Sequence, residues 1–101
     1  MPAYMVFTRL HTRDSAELAI YGKDAPNFFA GVPVKFLVRF GPCEVVEGGG
    51  VEGVAILEFP TMADAKAWYN GPVYVEARKH RFLGGDYSVI FVEGSEPAKA
   101  R

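Results

Sequence analysis

The sequence has little cysteine and little net charge, and it lacks any long apolar run. Cys43 is the only cysteine, so no internal disulfide can form, and no C-x-x-C motif or Cys/His cluster is present to hold a metal. Eleven basic residues against twelve acidic ones leave a formal charge of -1, which gives no basic footprint for nucleic acid or an anionic membrane. No membrane-spanning run or signal peptide is visible. These absences predict a cytoplasmic protein without metal, cofactor, nucleic-acid partner or membrane partner.

Half of the 101 residues are apolar, which suffices for one hydrophobic core without disulfide or metal support. The distribution of these residues predicts a single domain over residues 1–94. A flexible tail is expected over residues 95–101, beyond the last apolar run.

Apolar alternation predicts strands at residues 3–11, 34–40, 54–59 and 87–92. Asp14 with Glu17 forms an N-cap pattern for a first helix, which should break near Ala25 and end by Gly31. Thr61 caps a second helix, and a break at residues 70–72 separates it from a short third helix at 73–82. The order β-α-β-β-α-β is the ferredoxin-like signature: an α+β fold with a four-stranded antiparallel sheet in the order 4-1-3-2.

Each strand of the predicted sheet has two faces, and the alternation assigns one of them to the helices. The residues expected under the helices are Tyr4, Val6, Thr8 and Leu10, then Phe36, Val38 and Phe40, then Ala55, Leu57 and Phe59. The residues expected on the opposite face are Met5, Phe7, Leu37, Val54 and Ile56, interleaved with Arg9, His11, Lys35, Arg39 and Glu58. That mixed face is too apolar for open water, so a second sheet should cover it, and we expect a homodimer.

Several motifs resemble one known family. Leu57-Glu58-Phe59-Pro60-Thr61 precedes Ala67-Trp68-Tyr69-Asn70-Gly71-Pro72-Val73-Tyr74, and the chain opens on Met1-Pro2-Ala3-Tyr4. Residues 37–39 and 92–94 extend the likeness. The chain resembles the domain-of-unknown-function family DUF1330, of the dimeric α/β-barrel superfamily. This implies a ferredoxin-like dimer whose two sheets close a barrel, and it implies no established reaction.

Members of that superfamily range from cofactor-free monooxygenases and muconolactone isomerase to haem-using chlorite dismutases and regulator domains, so the fold does not set the chemistry. The chain also departs from the family pattern. Gly71 and Val73 stand where the family tends to have Ser and Glu, and Phe40 stands where it tends to have Gly. Residues 32–34 replace a Tyr-Gly-Gly-like turn. Any role that this Ser and Glu have in the family cannot be performed by Gly71 and Val73 in this chain.

Strand order and alternation together place Glu58 between Arg9 and Arg39. These three residues are candidates for an anion-binding arginine pair with a carboxylate for proton transfer. The alternative is a structural ion network buried at the dimer interface. His11, near Asp14, is a further candidate, as a general base or as a structurally bonded histidine.

Aromatic residues surround the break between the second and third helices. Trp68, Tyr69 and Tyr74, with the Asn70 amide, form either a ligand-binding pocket or ordinary core packing around a turn. The basic run of residues 78–81, around His80, is interpreted as a solvated face.

Three function classes follow. The first is a dimeric barrel that binds a small carbonyl-containing or aromatic metabolite, with or without cofactor-free catalysis. The second is a non-enzymatic ligand-binding or regulatory module. The third is a tautomerase that uses Pro2 as an amino-terminal base, which the two-residue Met-Pro opening allows.

Overall fold

Within residues 1–95, which the computed structural model describes, four strands form one antiparallel sheet. They are β1 (Ala3–Thr12), β2 (Lys35–Arg39), β3 (Gly53–Phe59) and β4 (Gly85–Glu93), in the order β2-β3-β1-β4. The predicted α+β ferredoxin-like fold and its strand order are confirmed. Most of the tail predicted for residues 95–101 lies outside the described residues.

Four helical segments pack against one face of this sheet: α1 (Ser15–Lys23), α2 (Ala25–Phe28), α3 (Met62–Asn70) and α4 (Pro72–Gly84). The Asp14 side chain caps α1 by accepting hydrogen bonds from the N–H groups of Ala16 and Glu17. Pro26 has no N–H to donate to the Gly22 carbonyl, so α1 cannot continue and the chain restarts as α2. Among the described residues, none of the helices is long and apolar enough to cross a membrane.

In β1, the side chains that face the helices are the ones predicted for the opposite face of the sheet. Met5 is fully buried and Phe7 is 4% exposed, and they pair with Leu57 and Ala55 of β3 on the helix side. The prediction that Tyr4, Val6, Thr8 and Leu10 lie under the helices is therefore wrong. Both sets of residues in β1 are apolar, so alternation alone could not decide between them. The assignment of Ala55, Leu57 and Phe59 to the core is confirmed.

A bulge in β2 between Phe36 and Val38 interrupts the alternation of that strand. Arg39 consequently pairs with Ala55, on the helix side of the sheet, and the prediction that it faces away is wrong. Phe40, the next residue, has a φ of 53°, in the left-handed region that favours glycine. The glycine expected in the family at position 40 would adopt this conformation without strain.

The sheet face turned away from the helices, here called the open face, consists mainly of apolar residues. From the pairing of β1 with β3 and β4, it includes Tyr4, Val6, Thr8, Val54, Ile56, Ser88, Ile90 and Val92. Ile90 is 49% exposed and Val92 is 40% exposed. Glu58 lies on the same face near its edge, where its carboxylate is 3.8 Å from the Lys35 ammonium.

Met5→Ala tests the corrected face of β1. We expect it to lower the free energy of unfolding by about 2–5 kcal/mol, because it empties a fully buried site. Val73→Ala removes methyl groups from a half-exposed position in α4 and should stay within about 0.5 kcal/mol of wild type. Urea denaturation measures both. A Met5→Ala variant as stable as Val73→Ala would contradict the assigned face.

Candidate ligand-binding site

A cavity of about 310 Å³ lies between the helix side of the sheet and helices α1 and α2. Its wall is mostly aromatic and aliphatic, with a few polar groups, as is usual for small-molecule sites. The wall is formed by Phe7, Arg9, Leu18, Tyr21, Gly22, Ala25, Phe28, Phe29, Phe36, Val38, Arg39, Phe40, Ala55, Leu57, Trp68 and Tyr87.

Trp68 of α3 is the centre of the aromatic part of the wall. Its ring stacks on Phe29, with centroids 4.9 Å apart, and on Tyr74, with centroids 4.0 Å apart. The indole N–H donates a 2.8 Å hydrogen bond to the Phe28 carbonyl, which ties α3 to α2. Of the candidate aromatic residues around the helix break, Trp68 lies in the cavity wall, whereas Tyr74 is fully buried in the core behind it.

Arg9 and Arg39 are the charged residues of the wall. The Arg9 guanidinium pairs with the Glu52 carboxylate at 3.1 Å and lies over the Phe40 ring. The Arg39 guanidinium lies over the Phe36 ring, 4.0 Å from its centroid. Within residues 1–95, no carboxylate lies within 4 Å of the Arg39 guanidinium nitrogens.

Glu52, in the loop between β2 and β3, has the carboxylate that binds Arg9. Hydrogen bonds from the Thr12 hydroxyl and the Thr12 N–H, together with Arg9, hold its pKa below the usual range. It remains a carboxylate near neutral pH and balances the charge of Arg9. Arg39 has no such partner in the described chain, so the wall has one balanced and one unbalanced cation.

Two tyrosine hydroxyls meet on the α1 side of the cavity. The Tyr21 hydroxyl is 2.7 Å from the Tyr74 hydroxyl, and Tyr21 itself lines the cavity. Burial raises the pKa of Tyr21 and of Tyr74, and mutual interaction raises that of Tyr21 further. Both hydroxyls therefore stay protonated at neutral pH, and the hydroxyl that accepts within the pair keeps a hydrogen to donate.

Arg81 of α4 is buried, with 3% of its surface exposed, so the interpretation of its basic run as a solvated face is wrong for this residue. Its guanidinium lies 5.0–5.6 Å from the centroids of the rings of Phe7, Phe82 and Tyr87. Its Nε has no hydrogen-bond partner among the described residues, and one terminal nitrogen is 3.5 Å from the Tyr69 hydroxyl. Phe7 and Tyr87 separate it from the cavity.

The predicted cluster of Arg9, Glu58 and Arg39 is not formed. Arg9 pairs with Gly53 on the helix side, whereas Glu58 pairs with Tyr4 and Lys35 on the open face. The prediction failed because it placed the side chains of β1 and β2 on the wrong face. Arg9 and Arg39 do share one cavity, without Glu58.

Three other candidates lie outside the cavity wall. His11 is exposed where β1 pairs with Asp86 of β4. Asn70 is exposed at the end of α3. Tyr69 packs against Phe91 and the Arg78 guanidinium. Helical geometry separates Trp68 from the two residues that follow it, because neighbours in sequence point about 100° apart on a helix.

Sequence reasoning missed the residues of α1 and α2 in the wall, chiefly Tyr21, Phe28 and Phe29. The signal was present as the aromatic pair Phe28-Phe29 directly before the Gly31 turn. A four-residue helix has no periodicity, so this pair alone does not predict where α2 lies. The described residues also contain no group of three His, Cys, Asp or Glu side chains placed to hold a metal ion.

The fold and the cavity together define a small ferredoxin-like α+β domain. The family model described as "Domain of unknown function (DUF1330)" matches residues 2–95, and the chain belongs to that family. No curated protein matches the chain.

Solved structures with the same fold include a protein of unknown function from Rhodopseudomonas palustris, RPA0582. It is 26% identical with a TM-score of 0.70, over 95% of this chain and 84% of that one. SnoaB, a cofactor-independent oxygenase from Streptomyces nogalater, is 14% identical with a TM-score of 0.65, over 94% of both chains. A dimeric protein of unknown function from Bacteroides fragilis is 17% identical with a TM-score of 0.60, over 92% of this chain and 96% of that one.

The tyrosine pair predicts a loss of stability at alkaline pH. In the unfolded chain these tyrosines ionise near pH 10, whereas in the folded chain their raised pKa keeps them protonated. Their contribution is therefore complete well below pH 10 and declines above it, by at most about 1.4 kcal/mol per pH unit for each tyrosine.

Urea denaturation at pH 9, 10 and 11 measures this decline. The double variant Tyr21→Phe/Tyr74→Phe should show a shallower fall above pH 10 than wild type, and Tyr4→Phe, on the open face, controls for loss of a hydroxyl elsewhere. An equal slope in the double variant and in wild type would contradict the raised pKa values.

Proposed function

We propose that this protein is a homodimer that binds a small aromatic or carbonyl-containing metabolite in the cavity beneath α1 and α2. The observation that carries the proposal is the aromatic wall around Trp68, which encloses about 310 Å³ beside polar groups at defined positions. A flat ring fits such a wall because aromatic rings prefer offset-stacked or edge-to-face contacts.

Catalysis without a cofactor is the second candidate, and the Tyr21–Tyr74 pair favours it. A protonated tyrosine hydroxyl in the cavity wall can donate a hydrogen bond to a carbonyl oxygen and stabilise charge that develops there. SnoaB, named as a cofactor-independent oxygenase, shares the fold at 14% identity, and this supports the candidate only by analogy. A regulatory ligand-binding module would use the same cavity without turnover.

The tautomerase hypothesis has less support. Pro2 lies before β1 and is not among the residues of the cavity wall. Its carbonyl accepts a hydrogen bond from the Gly94 N–H at 2.8 Å, which continues the pairing of β1 with β4 by one residue.

The homodimer is supported by the apolar open face. Its exposed members, Ile90 and Val92 among them, are adjacent across β1 and β4 and would leave a continuous apolar patch in water. The protein from Bacteroides fragilis, which shares the fold, is described as dimeric. A second copy laid sheet to sheet on this face would cover the patch.

Light scattering tests the dimer. Wild type at micromolar concentration should have twice the mass of one chain, and Ile90→Asp should give the mass of one chain because it buries a charge at the interface. Val73→Asp is the matched control, since Val73 in α4 is equally exposed, at 50% against 49%. A monomeric wild type, or an Ile90→Asp variant that stays dimeric, would contradict the proposed interface.

Substitution of Gly22 tests the cavity as a binding site. Gly22 lies in the wall, and a Cβ at this position meets no atom within 4 Å, so larger residues fit without displacing backbone. Gly22→Leu should obstruct the cavity and weaken binding of 2-naphthamide or 2-naphthoate at least about tenfold, or about 1.4 kcal/mol. Gly22→Ala is the control and should retain binding.

The single tryptophan provides the readout, because the Trp68 indole N–H resonance in a ¹⁵N-labelled sample reports directly on the wall. Gly22→Ala should also raise the free energy of unfolding by about 0.5–1 kcal/mol, the usual gain for replacing glycine in a helix. If neither compound shifts the Trp68 resonance of wild type, the cavity does not bind small aromatic molecules and the proposed function fails.

A further inference from the structure

The cavity wall carries positive charge without matching negative charge. Among the described residues that form it, Arg9 and Arg39 are charged, and no Asp or Glu joins them. Glu52 balances Arg9 from outside the wall at 3.1 Å. Arg39, which is exposed to solvent, has no acidic partner within the described chain, so both charged residues of the wall are cations and only Arg9 is paired.

The guanidinium of Arg39 lies over an aromatic ring next to the aromatic wall of the cavity. It lies 4.0 Å from the centroid of the Phe36 ring, and Phe36 in turn packs edge to face on Phe29 of the aromatic wall. A guanidinium that lies over a ring keeps its N–H groups at its edge, where a carboxylate can accept two parallel hydrogen bonds. The aromatic wall and this cation are therefore adjacent parts of one site.

A second, independent observation indicates the same sign of charge. Arg81 is 3% exposed and has no acidic partner among residues 1–95, and its guanidinium packs against the Phe7 and Tyr87 rings, both of which also face the cavity. A buried cation without an anion raises the potential of its surroundings, because the interior screens charge poorly. An anion in the cavity would be attracted by Arg81 as well as by Arg39.

We propose that the ligand of this cavity is a small planar aromatic anion, a carboxylate or an enolate, whose charged group is bound by Arg39. This rests on the proposed function, since it names the class of ligand for the same cavity. The ring of the ligand packs on the wall around Trp68, and its charged oxygens accept hydrogen bonds from the Arg39 guanidinium.

A pair of isosteric probes separates charge from shape. 2-Naphthoate and 2-naphthamide have the same ring and nearly the same size, and only the first is an anion at pH 7. Titration of wild type, followed by the Trp68 indole resonance, should show naphthoate binding at least about tenfold tighter than naphthamide, or about 1.4 kcal/mol. The naphthoate affinity alone should fall as salt is raised, since salt screens charge.

Variants of β2 assign this preference to one residue. Arg39→Gln should remove most of the preference for naphthoate and leave naphthamide affinity within about twofold, whereas Arg39→Lys should keep part of it because the charge remains. Lys35→Gln is the matched control, because it removes the same charge from the same strand at a position paired with Glu58, outside the cavity wall.

The outcomes are distinct. If both probes bind wild type equally, or if Arg39→Gln keeps the full preference, the inference about charge is overturned while the aromatic cavity stands. If neither probe shifts the Trp68 resonance, the proposed function is overturned and the inference falls with it. A preference lost equally in Arg39→Gln and Lys35→Gln would mean that net charge, and not the Arg39 contact, selects the anion, and this also overturns the proposal.

Discussion

The cavity depends on the position of the Trp68 indole. Helix α2 has four residues, too few to be stable alone, and its place over the sheet is set by the hydrogen bond from the indole N–H to the Phe28 carbonyl and by the stack on Phe29. One hydrogen bond contributes only about 1 kcal/mol net, so aromatic packing supplies most of the constraint. Rigid rings that stack and pack edge to face on one another can hold a wall in place without filling the space beside it.

Because side chains alternate along β1, this one strand contributes both to the cavity and to the opposite face of the sheet. Met5, Phe7 and Arg9 serve the core and the cavity, while Tyr4, Val6 and Thr8 between them form the open face. A strand that is apolar on both faces is typical of a sheet that is covered on both sides. One set of β1 side chains therefore lines the cavity, and the alternate set forms part of the apolar open face.

Local signals explain why the element order was predictable and the faces were not. The Asp14 cap, the break at Gly71 and the strand order each depend on a few neighbouring residues or on a standard topology. The face of β1 depends on which apolar set packs better, and the bulge in β2 reverses the alternation without a sequence mark at Arg39. The aromatic residues around the helix break make Trp68 a candidate, and it lines the cavity, whereas a charged residue in a basic run, such as Arg81, is usually exposed.

The buried charge of Arg81 affects both the stability of the fold and the electrostatic potential in the cavity. Burial of a guanidinium costs several kcal/mol of lost hydration free energy. In this protein, contacts with aromatic rings and with the Tyr69 hydroxyl offset that cost. Each desolvated cation–π contact contributes about 2 kcal/mol. Those contacts do not neutralise the charge. An anion in the cavity would do so in part, and because it binds the folded state alone it would stabilise the folded chain by linkage. On the proposal that Arg39 binds the charged group, Arg81 adds to the attraction for an anion over a neutral molecule of the same shape.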